Sequence, residues 1–200
     1  MTRFVHAILG AAALAMVATP VHAQRKREGY EFLEAVRERD GDKATELLNQ
    51  PGNVLVNSRD LSNGETGLHI AAQRRDAVWI RFLLGKGANP NIETRTGVTP
   101  LETAVQLGFV EGVEALLAGG ASPNTTNAAG ETPLISAVHR RDVEMIRLLV
   151  DKGADPLRTD NSGRTARDYA ALNGARSQVL EALDAAIEEK GKAASVYGPN

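Results

Sequence analysis

Four glycines recur at one interval. Gly64, Gly97, Gly130 and Gly163 stand 33 residues apart. Thr66, Thr99, Thr132 and Thr165 keep the same spacing, and so do Ala71, Ala104, Ala137 and Ala170. Three of the copies go on to Leu83-Leu84, Leu116-Leu117 and Leu149-Val150. They close with Gly87-Ala88-Asn89-Pro90, Gly120-Ala121-Ser122-Pro123 and Gly153-Ala154-Asp155-Pro156. A fixed period of this length means one supersecondary unit stacked on its own copies.

Each column has a mechanical reason. The first glycine follows a polar tip (Asn63, Ala129, Ser162), where a tight turn favours a residue that tolerates positive φ. The threonine two residues later can cap a helix, and Pro100 and Pro133 fall in a first turn, where proline is tolerated. A short Ala-rich helix follows, then a corner at Arg74-Arg75-Asp76, Gly108, Arg140-Arg141-Asp142 and Gly174. Ile80, Leu83 and Leu84, then Val113, Leu116 and Leu117, then Ile146, Leu149 and Val150 recur at helical spacing, which predicts a second helix. Helices of about ten residues are marginal alone in water. Stability therefore has to come from the interface between neighbouring copies.

Two strings, Gly64-Glu65-Thr66-Gly67-Leu68-His69-Ile70-Ala71-Ala72 and Leu83-Leu84-Gly85-Lys86-Gly87-Ala88-Asn89-Pro90-Asn91, resemble the ankyrin repeat. The resemblance implies an all-α solenoid of helix-turn-helix units with short β-turn tips, spanning about residues 30–185. Full repeats are expected over 61–93, 94–126 and 127–159, with a C-capping repeat over 160–189. Glu34-Ala35-Val36-Arg37 and Glu46-Leu47-Leu48 fit the helix columns at a shift of 36, with the extra residues near Pro51-Gly52-Asn53. Residues 30–60 therefore read as a degenerate N-capping repeat, and 190–200 as a flexible tail.

Departures from the family pattern set further expectations. In the family a histidine at the column of His69 bonds turn groups and knits repeats together. Glu102, Ile135 and Asp168 stand in that column here. That network is expected to be incomplete, with stability below that of consensus repeats. Trp79, Gly112 and Met145 share a column in successive second helices. A helix-interior glycine costs about 0.5–1 kcal/mol relative to Ala. The expectation is that Gly112 leaves room for the neighbouring Trp79 indole.

The first 23 residues carry an address. Arg3 gives a positive start, Phe4 to Val17 is free of acids, and Val21-His22-Ala23 follows the helix-breaking Pro20. This is the three-part pattern of a signal peptide, with cleavage expected between Ala23 and Gln24. Its short, Ala-rich form points to a bacterial protein exported to the periplasm. Cleavage removes Arg3 and no acid, so the net charge moves from −2 to −3. Residues 24–29, with Arg25-Lys26-Arg27, then read as a basic, solvated N-terminal arm.

Chemistry-bearing patterns are scarce. The absence of cysteine excludes disulfides, thiol nucleophiles and cysteine zinc sites. The mild negative charge and eight aromatic residues give no basis for nucleic acid as a partner. After cleavage only His69 and His139 remain, without the His-x-x-x-His spacing of a zinc site. Leu84-Gly85-Lys86-Gly87 lacks the length and the Ser/Thr of a phosphate loop. No catalytic residue, metal site or cofactor is therefore predicted. Asn124-Thr125-Thr126 fits a glycosylation sequon and reads as chance at a repeat junction.

The family's binding face joins the turn tips to the exposed side of the first helices. Alignment places Arg37, Gln73, Arg74, Gln106, Leu107, His139 and Arg140 there, with Asn63, Glu65, Arg95 and Val98 among the tip positions. Leu107 is an apolar side chain inside a mildly basic polar ladder, and Phe109 would enlarge it if its ring faced outward. Phe109 packed inward on the corner fits the sequence equally well. The double arginines are open in the same way, as contacts for an acidic partner or as caps on helix-end carbonyls. The resemblance implies a non-catalytic, monomeric scaffold that binds another protein, with no membrane association after signal cleavage. The other readings are a small-ligand or metal-binding protein using His139, and a secreted effector directed at a host.

Overall fold

The computed structural model describes residues 21–49, 55–172 and 177–196. Within them the chain forms paired antiparallel helices: α1 (Val21–Glu38) with α2 (Gly41–Leu48), α3 (Gly67–Gln73) with α4 (Ala77–Gly85), α5 (Pro100–Gln106) with α6 (Val110–Ala118), α7 (Pro133–His139) with α8 (Val143–Asp151), and α9 (Ala166–Leu172) with α10 (Gln178–Val196). The first helices α1, α3, α5, α7 and α9 pack each on the next; α4 packs on α6, and α8 on α10. This is the all-α solenoid that the resemblance implied. The leader through Pro20, the Pro51-Gly52-Asn53 loop and the Gly174 corner lie outside the described residues.

The core is one continuous seam. Ala71, Ala104, Ala137 and Ala170 are fully buried, and so are Ile80, Leu83, Leu116, Ile146 and Leu149. The alanines keep the first helices close, while the larger residues of the second helices fill the space behind them. Capping follows the columns. The Thr99 and Thr132 hydroxyls accept from the N–H groups of Glu102 (3.2 Å) and Ile135 (3.3 Å). The Asp76 and Asp142 carboxylates accept from the N–H groups of Trp79 (3.1 Å) and Met145 (3.0 Å). Such caps satisfy amides that the helix itself leaves open.

The tips repeat the same bend. Gly64, Gly97, Gly130 and Gly163 have φ of 82°, 77°, 79° and 80°. At Gly130 a side chain is excluded twice, by the positive φ and by the Asn161 backbone nitrogen, 2.6 Å from where a Cβ would stand. Adjacent tips are stitched by backbone bonds, Arg95 N–H to the Asn63 carbonyl (2.9 Å) and Asn161 N–H to that of Ala129 (3.1 Å).

Both ends are more helical than the sequence suggested. The expected basic arm at 24–29 is part of α1, which also runs upstream across the expected cleavage point to Val21. Side-chain pairs at helical spacing support it: Gln24 donates to Glu28 (2.9 Å) and Arg27 pairs with Glu31 (3.0 Å). The expected tail from residue 190 is helical to Val196. No described helix is long and apolar enough to cross a membrane.

Candidate functional site

Tips and first helices enclose a groove of about 500 Å³. Asn63, Glu65 and Arg95 line it from the tips, and Gln73, Thr103, Gln106 and Leu107 from α3, α5 and the end of α5. Leu107 is 38% exposed. Gln73 donates to Glu65 (2.5 Å), and the Arg95 guanidinium donates to the Leu61 carbonyl. These bonds hold long side chains in place before any ligand arrives, which lowers the entropy lost on binding.

The structure gathers Gln73, Gln106 and Leu107 in this groove and places the other predicted site residues elsewhere. Phe109 is 6% exposed and is removed from the surface. It occupies the N-cap position of α6, and its ring folds inward over Gly112. Arg140 donates to the Gln106 carbonyl (2.6 Å), and Arg74 donates to the carbonyls of Val36 and Arg37 (2.8 Å for the latter). Both arginines cap the first helix of the preceding repeat. Arg75 does the same for the following one, donating to the Leu107 carbonyl (2.6 Å). Arg37 pairs with Glu34 (2.6 Å) and Asp60 (2.5 Å), tying the N-terminal cap to the first tip. His139 is exposed one repeat beyond the groove, with Nε2 3.5 Å from Glu131 and its ring edge-on to Tyr169, centroids 4.6 Å apart.

The histidine column is more complete than expected. His69 is fully buried; its Nδ1 accepts from the Thr66 N–H (3.1 Å), so Nε2–H donates to the Val98 carbonyl of the next repeat (3.0 Å). Burial pushes its pKa below the ordinary range. Glu102 takes over the bridging role one repeat later. One carboxylate oxygen accepts from the Ser136 hydroxyl of the next repeat (2.5 Å) and from Gln106 (2.9 Å). The other is buried without a hydrogen-bond partner. Burial raises the pKa of this group, and Glu131 adds to the rise. Asp168 serves locally, accepting from the Thr165 N–H (2.8 Å) and hydroxyl (2.7 Å). Only Ile135 leaves the column without a polar link. The acid at position 102 was the available signal for this second bridge.

The groove's hydroxyls are taken up internally, Ser62 by Asp60 (2.6 Å), Thr94 by Thr96 (3.0 Å) and Thr103 by the Thr99 carbonyl (3.1 Å). Hydrogen bonds from Ser62, with Arg37 alongside, lower the Asp60 pKa to about 2, which makes it a poor base at neutral pH. Among the described residues, no three His, Asp or Glu side chains converge as metal ligands. The Asn124 amide of the sequon is also occupied, accepting from the Asp155 N–H (2.7 Å) and donating to the Gly153 carbonyl (3.1 Å).

The family model for ankyrin repeats, three copies, matches residues 32–127 and 113–190. The chain belongs to the ankyrin-repeat family. Ankyrin repeats are generally non-catalytic modules that bind other proteins. Similar proteins include the nuclear factor NF-kappa-B p110 subunit of Drosophila melanogaster, 46% identical over 52 residues, which are 26% of this chain and 5% of that protein. An ankyrin repeat protein of fowlpox virus (strain NVSL) is 42% identical over 60 residues, 30% of this chain and 17% of the viral one. The oxysterol-binding protein homolog 1 of Saccharomyces cerevisiae is 35% identical over 75 residues, 36% of this chain and 6% of the yeast protein. The likeness thus covers short stretches of far longer ankyrin-repeat and other chains.

Proposed function

We propose that this ankyrin-repeat chain is a non-catalytic scaffold of the bacterial periplasm that binds another protein through the groove between its tips and first helices. The supporting observation is Leu107. It is an exposed apolar side chain lining a preformed concavity whose polar side chains are already hydrogen-bonded, which suits a binding hot spot. The signal-like leader supports export, and the family supports a protein as the ligand.

The test is capture from periplasmic extract by the wild-type chain and by Leu107→Asp with Gln73→Glu. Both side chains are exposed, so the fold should persist. At least one protein should be lost from the variant's eluate; identical recovery of every protein would remove the groove from consideration. Osmotic-shock fractionation with a mass measurement of the N-terminus tests location. A mature chain beginning at Gln24 in the shock fluid is expected, whereas accumulation in the culture medium would favour an effector released further.

A further inference from the structure

A second concavity, of about 620 Å³, lies beside the groove at the N-terminal end of the solenoid, and the two share Ser62. It exists because α1 continues upstream of the repeat. Lys26, Gly29, Tyr30 and Leu33 fall at helical spacing on one face of α1, opposite the turn at 58–62. Gly29 sets the approach, since a Cβ there would stand 2.9 Å from the Ser58 hydroxyl. Leu33, 2% exposed, lines it together with Tyr30 and Leu61, which are 60% and 68% exposed. Single exposed apolar side chains are ordinary; two that line one cleft together with a buried leucine form a patch that water solvates poorly.

The unpaired charge at this cleft has one sign. Asp60 is the acid among its lining residues, and its carboxylate is occupied by Arg37 (2.5 Å), the Ser62 N–H (2.8 Å) and the Ser62 hydroxyl (2.6 Å). Arg59 donates to the carbonyls of Glu93 (2.6 Å) and Gly64 (3.3 Å) and, among the described residues, pairs with no carboxylate, which leaves its charge uncompensated. Among the described residues no carboxylate pairs with the exposed Lys26 either. Glu28 and Glu31 lie off this face of α1 and are engaged by Gln24 and Arg27. An apolar cleft flanked by two uncompensated cations repels a basic segment and suits an apolar side chain with a carboxylate beside it.

We propose that this cleft takes a large apolar residue adjacent to Asp or Glu, presented by a protein partner whose chain continues along the groove. The proposal rests on the groove reading for the direction of the bound chain and adds the partner's chemistry. Ser62 lines both the cleft and the groove, and that adjacency favours a peptide over a free amphiphile.

A random dodecapeptide phage library panned on the full chain is the experiment. It is run in parallel on wild type, on the cleft variant Lys26→Glu with Tyr30→Ser, and on the groove variant Leu107→Asp. Far-UV circular dichroism should be the same for all three. Wild type should enrich sequences with Asp or Glu within two positions of Leu, Ile or Phe. The cleft variant should lose that enrichment, and a synthetic consensus peptide should bind it at least tenfold more weakly, with affinity for wild type falling as salt rises. Enrichment of basic or purely apolar sequences, or an acidic–apolar motif that survives in the cleft variant, overturns the proposal. A consensus peptide that loses affinity in Leu107→Asp but keeps it in the cleft variant overturns it too, yet leaves the groove reading intact. A wild-type chain that binds dodecanoate but no peptide assigns the cleft to a free amphiphile and ends the protein assignment.

Discussion

The Phe109 ring occupies the space a Cβ on Gly112 would need, with Cδ1 and Cε1 both far inside van der Waals contact of that point. The pairing explains two departures from the repeat at once. In the neighbouring repeats the N-cap is Asp76 or Asp142, whose carboxylate accepts from the third helical residue, Trp79 or Met145. Here the N-cap is Phe109, which has no side-chain cap bond, and the third residue is glycine. An aromatic lid over the first turn has replaced a carboxylate cap, and it fits only because Gly112 has no side chain. The expectation that Gly112 makes room for Trp79 assigned the right glycine to the wrong ring.

Gly112→Ala should therefore destabilise the protein, although alanine is the better helix former by about 1 kcal/mol. Overpacking against Phe109 should cost about 1–3 kcal/mol. Phe109→Asp with Gly112→Ala restores the pattern of the neighbouring repeats and should be more stable than the sum of the single changes predicts. Urea denaturation of the four proteins measures that coupling. A change in Trp79 fluorescence in Gly112→Ala, without coupling to position 109, would return the glycine to Trp79.

Much of the architecture was legible because each recurring residue reported a backbone requirement. Positive φ at Gly64, Gly97, Gly130 and Gly163, helix caps at Thr99 and Thr132, and close helix approach at Ala104 and Ala137 all leave a mark on the chain. Side-chain direction leaves none. The sequence allowed Phe109 to turn inward or outward, and the rotamer followed from the empty volume at Gly112. It also allowed Arg74 and Arg140 to be contacts or caps; the choice depended on carbonyls at Val36, Arg37 and Gln106 that only stacking brings near. The cleft beside Tyr30 was hidden for another reason. Lys26-Arg27 reads as an arm until α1 is seen to continue through it.

His69 and Glu102 should give opposing pH dependences. Burial lowers the His69 pKa beneath its ordinary 6.5, so the unfolded chain binds the extra proton and stability falls as pH drops through 6.5. Nearby Glu65 opposes that shift and Arg59 reinforces it. Burial raises the Glu102 pKa above its ordinary 4.5, so the folded chain binds the extra proton and stability falls as pH rises above 4.5. Glu131 reinforces this, while the Ser136 and Gln106 hydrogen bonds oppose it. Between pH 5 and 8, Glu102→Gln should show a melting temperature that rises with pH more steeply than wild type. His69→Gln should shift the slope the other way. Parallel curves for wild type and Glu102→Gln would mean that Glu102 keeps its charge on folding at no cost.

The two capping arginines should differ in weight. Arg74 is half-buried, reaches two carbonyls of α1 and lies 5.8 Å from the Trp79 ring centre. Arg140 is exposed and reaches the Gln106 carbonyl. Arg74→Ala should cost about 1–3 kcal/mol, the range for leaving buried polar groups unpaired, and Arg140→Ala less than about 1 kcal/mol. Chemical denaturation separates them. Unchanged stability in Arg74→Ala, together with loss of a captured protein, would make that arginine a contact after all.

The asparagine ladder in the loops that follow the second helices gives the last expectation. Asn91 accepts from the Ser122 N–H (2.8 Å) and donates to the Gly120 carbonyl (3.1 Å). Asn124 makes the same two bonds to Asp155 and Gly153 one repeat on. At the next position the period places Leu157, which is 74% exposed. Each asparagine amide thus joins two repeats by both its donor and its acceptor, and Leu157 stands where the ladder ends. Asn124→Ala should remove these bonds, which are mostly solvent-exposed, and lower stability by about 0.5–1.5 kcal/mol, as should Asn91→Ala. Leu157→Ala, with no ladder bonds to lose, should stay within about 0.5 kcal/mol of wild type. The same bonds bear on the sequon. A glycan on Asn124 needs the amide nitrogen that now holds Gly153, so expression in a glycosylating host should yield a folded chain of unmodified mass. A mass increase at Asn124 with full stability would show that the bond to Gly153 is dispensable.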